Sequence, residues 1–185
     1  MPQGVTQDHA DPGRLLDHAS RLLRPQGSGR RPTSDTRRAI SAAYYGAYHC
    51  VTGAAAKLLF DANALHGVRW LTHSAVDGAG RLVTQHGPKK AADPGHGPEV
   101  ARVHGLWTMF QAIGGASDEL LEAVEVLRAL KAERERADYD RINKLSPATG
   151  RALVADARWI VKLFSSARVK QDDFRIYLSL VALKA

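Results

Sequence analysis

Apolar residues recur every three or four positions in segment after segment, and no stretch alternates apolar with polar as a half-buried strand does. That pattern restricts the chain to an all-α fold, in which antiparallel helices with mostly short connections bury one stripe each. Five to seven helices follow from the punctuation. Asp11-Pro12 reads as N-cap and first helical residue, and Leu15, Leu16, Ala19, Leu22 and Leu23 form a stripe that Pro25 ends. Beyond the polar connector Gln26 to Pro32, Thr33, Ser34 and Asp35 offer three caps for a long helix running to Phe60.

A third helix is expected from about Gly67 to about Gln85, with Val68, Leu71, Ala75, Ala79, Leu82 and Val83 inward and weakened by Gly78 and Gly80. The stretch Gly87 to Pro98 is too rich in breakers to be other than an exposed loop. Glu99 to Ile113 gives a shorter helix ended by Gly114-Gly115. Ser117 with Asp118 opens a long one carrying Leu120, Leu121, Val124, Leu127 and Leu130 and fading near Tyr139 to Asn143. Ser146-Pro147 opens another helix, with Leu153, Val154, Ala157, Ile160, Val161 and Phe164 inward. Asp172 or Asp173 caps a last one through Leu183. The organisation expected is an extended or disordered N-terminus over 1–13, a bundle over 14–168 and a C-terminal helix over 169–185 packed on it.

With 185 residues, 44% of them hydrophobic, the chain suits one domain of ordinary size. Its longest apolar runs, Ala54 to Phe60 and Ile176 to Leu183, fall far short of the roughly 20 residues that span a bilayer. The residues Met1 to Asp8 lack a basic segment followed by an apolar one, which argues against a secretory signal. The single cysteine, Cys50, reads as a reduced, packed thiol. A soluble, cytoplasmic protein is the expectation. The formal charge of +7 favours anionic partners such as nucleic acid.

Several chemistries lack their residues. No two histidines lie three or four apart, which removes the helical metal-ligand pairs, so no metal site and no cofactor is expected. A phosphate-cradling glycine loop, a serine nucleophile elbow and a dinucleotide fingerprint are also missing.

Two polar clusters remain. On the second helix Arg38, Tyr45 and His49 fall along one strip, beside Tyr44, with small residues between them that admit a neighbouring helix. On the fifth, Arg128, Lys131 and Arg134 form a cationic strip that ends in Arg134-Glu135-Arg136-Ala137-Asp138-Tyr139. Each cluster has two readings. Tyr44, Tyr45 and His49 are either packed groups with satisfied hydrogen bonds or part of a site. Arg134 and Asp138 are either an intrahelical ion pair or site residues, with Arg136 solvated. His66, His73, His86, His96 and His104 receive no role.

In this order of segments the chain resembles the HEPN superfamily of small helical bundles, found in bacterial defence and toxin–antitoxin systems and in larger RNA-cutting proteins. The resemblance covers roughly Arg14 to Arg168. It rests on Arg21-Leu22-Leu23, on Arg37-Arg38-Ala39-Ile40-Ser41 with Ala43-Tyr44-Tyr45 and His49, and on the Arg-x-x-Ala-Asp-Tyr stretch at 134–139. It implies metal-independent RNA cleavage through an Arg-x4-6-His motif, with two copies brought together in a homodimer. A histidine and an arginine can supply the base, the acid and the cation that such cleavage needs near neutral pH.

Arg134 matches the motif arginine, whereas Tyr139 stands where the histidine would be. A tyrosine is ordinarily a poor general base at neutral pH, although it can donate a proton or bind phosphate. An active nuclease would therefore need His49 to come near Arg134. The resemblance and the residue types imply Arg134, Tyr139 and His49 as catalytic groups, and Arg38, Tyr45, Arg128, Lys131 and Arg136 as RNA contacts. A non-catalytic interaction module is the alternative function, partnering a nucleotidyltransferase or an antitoxin protein. On that view Tyr44, Tyr45 and His49 mark the type of bundle, and cleavage turns on Arg134 to Tyr139.

Overall fold

The computed structural model describes residues 11–24, 33–60, 71–84, 98–140, 142 and 145–183. Seven helices run in chain order among them: α1 Pro12–Leu22, α2 Thr33–Phe60, α3 His73–Thr84, α4 Pro98–Ala112, α5 Asp118–Tyr139, α6 Pro147–Phe164 and α7 Asp172–Leu183. A short 3-10 turn, Ala167–Lys170, precedes α7, and no strand occurs among the described residues. The fold class is all-α, as the periodicity requires.

The helix starts follow their caps. Asp11 accepts from the Gly13 amide at 2.8 Å, Ser117 from Leu120 at 3.3 Å and Ser146 from Thr149 at 3.0 Å, each filling one of the orphan donors of a first turn. Gly114 and Gly115 end α4 with φ of 89° and 88°, a conformation open to glycine at little cost. The third helix begins later than its pattern suggested. Thr72 Oγ1 accepts from the Ala75 amide at 3.2 Å, so the helix starts at His73. Leu71 is buried but lies ahead of the helix. Gly67, Val68 and Gln85 of that expectation lie outside the described residues, as do His66, His86, His96, most of the expected 87–98 loop, and Asn143.

α2 is the axis of the bundle, touching α1, α3, α5, α6 and α7. Register gives the directions. Along α2, Arg37, Ser41 and Tyr45 meet Ala137, Asp138 and Arg134, so α5 runs antiparallel to it. Thr36 lies near Gly150 and Cys50 near Val161 and Ser165, so α6 runs parallel to α2. Alanines 39, 43, 47, 55 and 56 of α2 are completely buried, and a Cβ at Gly46 would come within 3.1 Å of Leu16. The neighbouring helices that these small residues admit are thus found within the chain, chiefly α1 and α6. Cys50 is a buried, unpaired thiol whose pKa burial raises, in keeping with a packed cysteine.

The C-terminal helix supplies core. Phe174, Tyr177, Leu178, Leu180 and Val181 of α7 are almost wholly buried, each such side chain stabilising the fold by about 1.5–3 kcal/mol. Asp173 ties α7 to α5: its carboxylate accepts from the Ser117 hydroxyl at 2.6 Å and amide at 3.2 Å, and from its neighbour's amide at 2.9 Å. Replacing it removes charge-assisted hydrogen bonds from the part-buried donors at the start of α5. Asp173→Ala is expected to lower unfolding stability by about 1–3 kcal/mol, read as the urea midpoint at unchanged slope. An unchanged midpoint would show that this tie is idle.

Candidate functional site

One face of α2 carries a polar row at four-residue spacing, Arg37, Ser41, Tyr45 and His49, and the last turns of α5 lie across it. Arg37 Nη1 donates to the Ala137 carbonyl at 2.7 Å and to that of Arg136, which also accepts the Asp140 amide, at 3.3 Å, a cation placed on the carbonyls of a helix end. Ser41 donates to Asp138 Oδ1 at 2.6 Å. Arg38, expected in this strip, stands exposed on the next row, because one residue turns the helix by about 100°.

Arg134 is the best-anchored group in the site. Its Nη2 donates to the Tyr45 hydroxyl at 2.7 Å, and its Nε lies 2.7 Å from Asp138 Oδ2. The Nε hydrogen does not point along that line, so the second contact is an ion pair without a hydrogen bond and leaves a buried N–H unmatched. The guanidinium carbon sits 5.3 Å from the Tyr45 ring centre and 5.8 Å from that of Tyr139, both within cation–π range. Burial opposes its charge, but Tyr45, Asp138 and Tyr139 outweigh this and raise its pKa. Tyr139 itself is 74% exposed at the end of α5.

His49 reaches this group through Tyr45. Its ring stacks on Tyr45 with centres 6.2 Å apart and meets Tyr48 edge-on at 5.2 Å. The two expected partners, His49 and Arg134, therefore both contact one tyrosine, His49 through its ring and Arg134 through its hydroxyl and ring.

A second imidazole, overlooked in the sequence, completes the cluster. His73, the first residue of α3, accepts or donates through Nδ1 with the Tyr44 hydroxyl at 2.7 Å. Its ring lies 4.0 Å from Tyr48 and 5.6 Å from Tyr45, centre to centre. The Tyr48 hydroxyl is spent on the Leu71 carbonyl just ahead of α3, fixing the segment that delivers His73. No periodicity marks this histidine, because its partners lie more than twenty residues earlier. Burial first, then Arg134, His49 and Lys131, lower its pKa, with Glu135 opposing. Burial likewise pushes Tyr44 and Tyr48 above the ordinary tyrosine range, so both hydroxyls keep their protons.

Beside His73, Tyr44 and Tyr48 opens a narrow cleft, walled by Val76, Asp77, Gly80, Arg128, Lys131 and Tyr177, with room for about one water molecule. Asp77 is its electrostatic hub: Arg81 lies at 2.7 Å, Arg128 and Lys131 each at 3.7 Å. Lys131 is also 3.5 Å from Glu135, and Arg128 bonds Thr84 at 3.4 Å. Arg136 pairs with Glu133 at 2.6 Å on the exposed side. The proposed RNA-contacting cations of α5 are thus all ion-paired, in partly exposed pairs worth about 0–1 kcal/mol each that a polyanion can compete for. No group of metal-ligating side chains occurs among the described residues, and none of their helices is long and apolar enough to cross a membrane.

His73 sets a sign for stability against pH. Its folded pKa is depressed below the ordinary 6.5, so the unfolded chain binds the proton more readily. Its contribution is complete above pH 6.5 and is lost as pH falls from there through the folded value. Urea titrations are expected to show stability declining over that window, with a shallower decline in His73→Gln; equal slopes would remove His73 as the cause. Compared with known proteins, the chain matches no family model, no curated protein and no solved structure.

Proposed function

We propose that the protein is a HEPN-like, RNA-associated bundle of a defence or toxin–antitoxin type, and that the α2–α5 site cleaves RNA without a metal. One observation carries this reading: an anchored arginine and two imidazoles surround the same tyrosine cluster, Arg134 on the Tyr45 hydroxyl, His49 on its ring face and His73 at its edge. A fixed guanidinium suits the charge of a phosphorane-like transition state, and neutral imidazole suits proton removal near neutral pH. The +7 charge and the Arg128–Lys131–Arg134 strip favour a polyanionic substrate.

A second reading has its own support. Arg134 is already balanced by Asp138, and Tyr139 occupies the histidine position of the motif, which fits a non-catalytic module that docks a nucleotidyltransferase or antitoxin. A homodimer belongs to the first reading by resemblance alone, since the small residues of α2 are used internally.

Incubation of labelled single-stranded RNA with the purified protein in EDTA separates the two. Cleavage is expected, with Arg134→Ala slower by about 100-fold or more, as for loss of a charge-stabilising donor. Intact RNA, or equal cleavage by Arg134→Ala, would overturn the nuclease reading and leave the docking module.

A further inference from the structure

We propose that the groove between α4 and α7 binds a small amphipathic carboxylate of the fatty-acid class, with its alkyl chain along α4 and its charge on Arg102. The groove has a volume of about 440 Å³, within the range of roughly 300–1,000 Å³ that small-molecule sites occupy. Leu106 and Met109 of α4 and Ala182 and Leu183 of α7 make its walls, and Arg102 is the one charged group of its described lining. Apolar walls take an alkyl chain out of water, and a guanidinium is the side chain that best holds a carboxylate.

Val103, Leu106, Met109 and Phe110 give α4 a broad apolar face, and its main packing partner among the described residues is α7. That face is only partly covered: Val103 and Phe110 are buried, whereas Met109 is 56% exposed. Gly105 carries the argument further, because a glycine inside a helix costs stability relative to alanine. At Gly46, Gly80 and Gly150 the chain itself explains the choice, since a Cβ would come within 3.1 Å of Leu16, 3.0 Å of Val124 and 2.9 Å of Leu23 respectively. At Gly105, as at Gly53, a Cβ would meet nothing within 4 Å. The space left open at Gly105 is the groove, where a ligand can lie directly against the helix backbone.

Dimensions and charge select the occupant. On α7 the lining runs only from Ser179 to Leu183, little more than one turn, too short for the i, i+4 and i+7 anchors of a docked helix. A second copy of the chain would bring another Arg102 and a further charge of +7 to the same place. A cationic head group would meet Arg102 as a like charge. Ser179 donates its hydroxyl proton to the Arg175 carbonyl at 2.8 Å, so the carboxylate falls to Arg102.

The test titrates the full chain, isotope-labelled at its methionine methyl groups, with decanoate below its micelle-forming concentration, and separately with decanol and with acetate. The chain has two methionines, Met1 and Met109, so the variant Met109→Leu assigns the resonance that reports on the groove. One saturable site is expected, with decanoate shifting the Met109 methyl and acetate leaving it unmoved. Arg102→Gln should weaken decanoate by about tenfold or more and leave decanol binding as it was. Gly105→Leu fills the groove with a better helix former, so decanoate binding should vanish at a urea midpoint equal to or above that of the wild type. Decanoate that fails to move the Met109 methyl in the wild type, or moves it equally in Gly105→Leu, overturns the site. Unchanged decanoate affinity in Arg102→Gln overturns the assignment of a carboxylate. A dimer that Gly105→Leu dissociates, seen by light scattering with no decanoate bound, would make the groove a face between copies and overturn the proposal as well.

Discussion

The Tyr45 hydroxyl receives the Arg134 guanidinium at 2.7 Å, and the site is arranged around that contact. Tyr45 sits at the middle of the polar row on α2, Arg134 one turn before the end of α5, and holding them together fixes how the two helices cross. Arg37 and Ser41 complete the seam by donating to the last carbonyls of α5 and to the Asp138 carboxylate. A helix end that would fray in water is thereby pinned by side chains of its neighbour. The same seam places Tyr139, the last helical residue, beside the guanidinium.

Around this seam the molecule separates two tasks. The buried alanine face of α2 and the aromatic face of α7 provide packing, so stability comes mainly from apolar burial. The polar row of α2, the start of α3 and the cationic strip of α5 collect the titratable groups on one side. Asp77 keeps Arg81, Arg128 and Lys131 from repelling one another, at the cost of partly neutralising the surface they make. Tyrosines link the two tasks: Tyr44 and Tyr48 bury their rings in the core and spend their hydroxyls on His73 and Leu71.

Helix ends were legible wherever the capping residue adjoins the apolar pattern. Ser117, Ser146 and Asp11 each begin a helix as their side chains dictate, and Gly114-Gly115 end one. The start of α3 was not, because apolar residues ahead of Thr72 continue a helical spacing that its capping hydroxyl interrupts. Within the site, Tyr45, His49 and Arg134 could be singled out from local spacing. Arg37 could not be told from Arg38, since which of two adjacent arginines faces α5 depends on the rotation of α2 about its axis. His73 was silent for a different reason. Its surroundings are Tyr44, Tyr45 and Tyr48 on another helix, and no single-helix pattern encodes that meeting.

The seam between α2 and α5 is tested most directly by a double-mutant cycle of Tyr45→Phe and Arg134→Met, read as unfolding free energy in urea. The phenyl ring keeps the packing and removes only the hydroxyl that Arg134 contacts. A coupling of about 0.5–3 kcal/mol is predicted, the range for residues in direct contact within one network. Additive effects, with coupling indistinguishable from zero, would contradict the account.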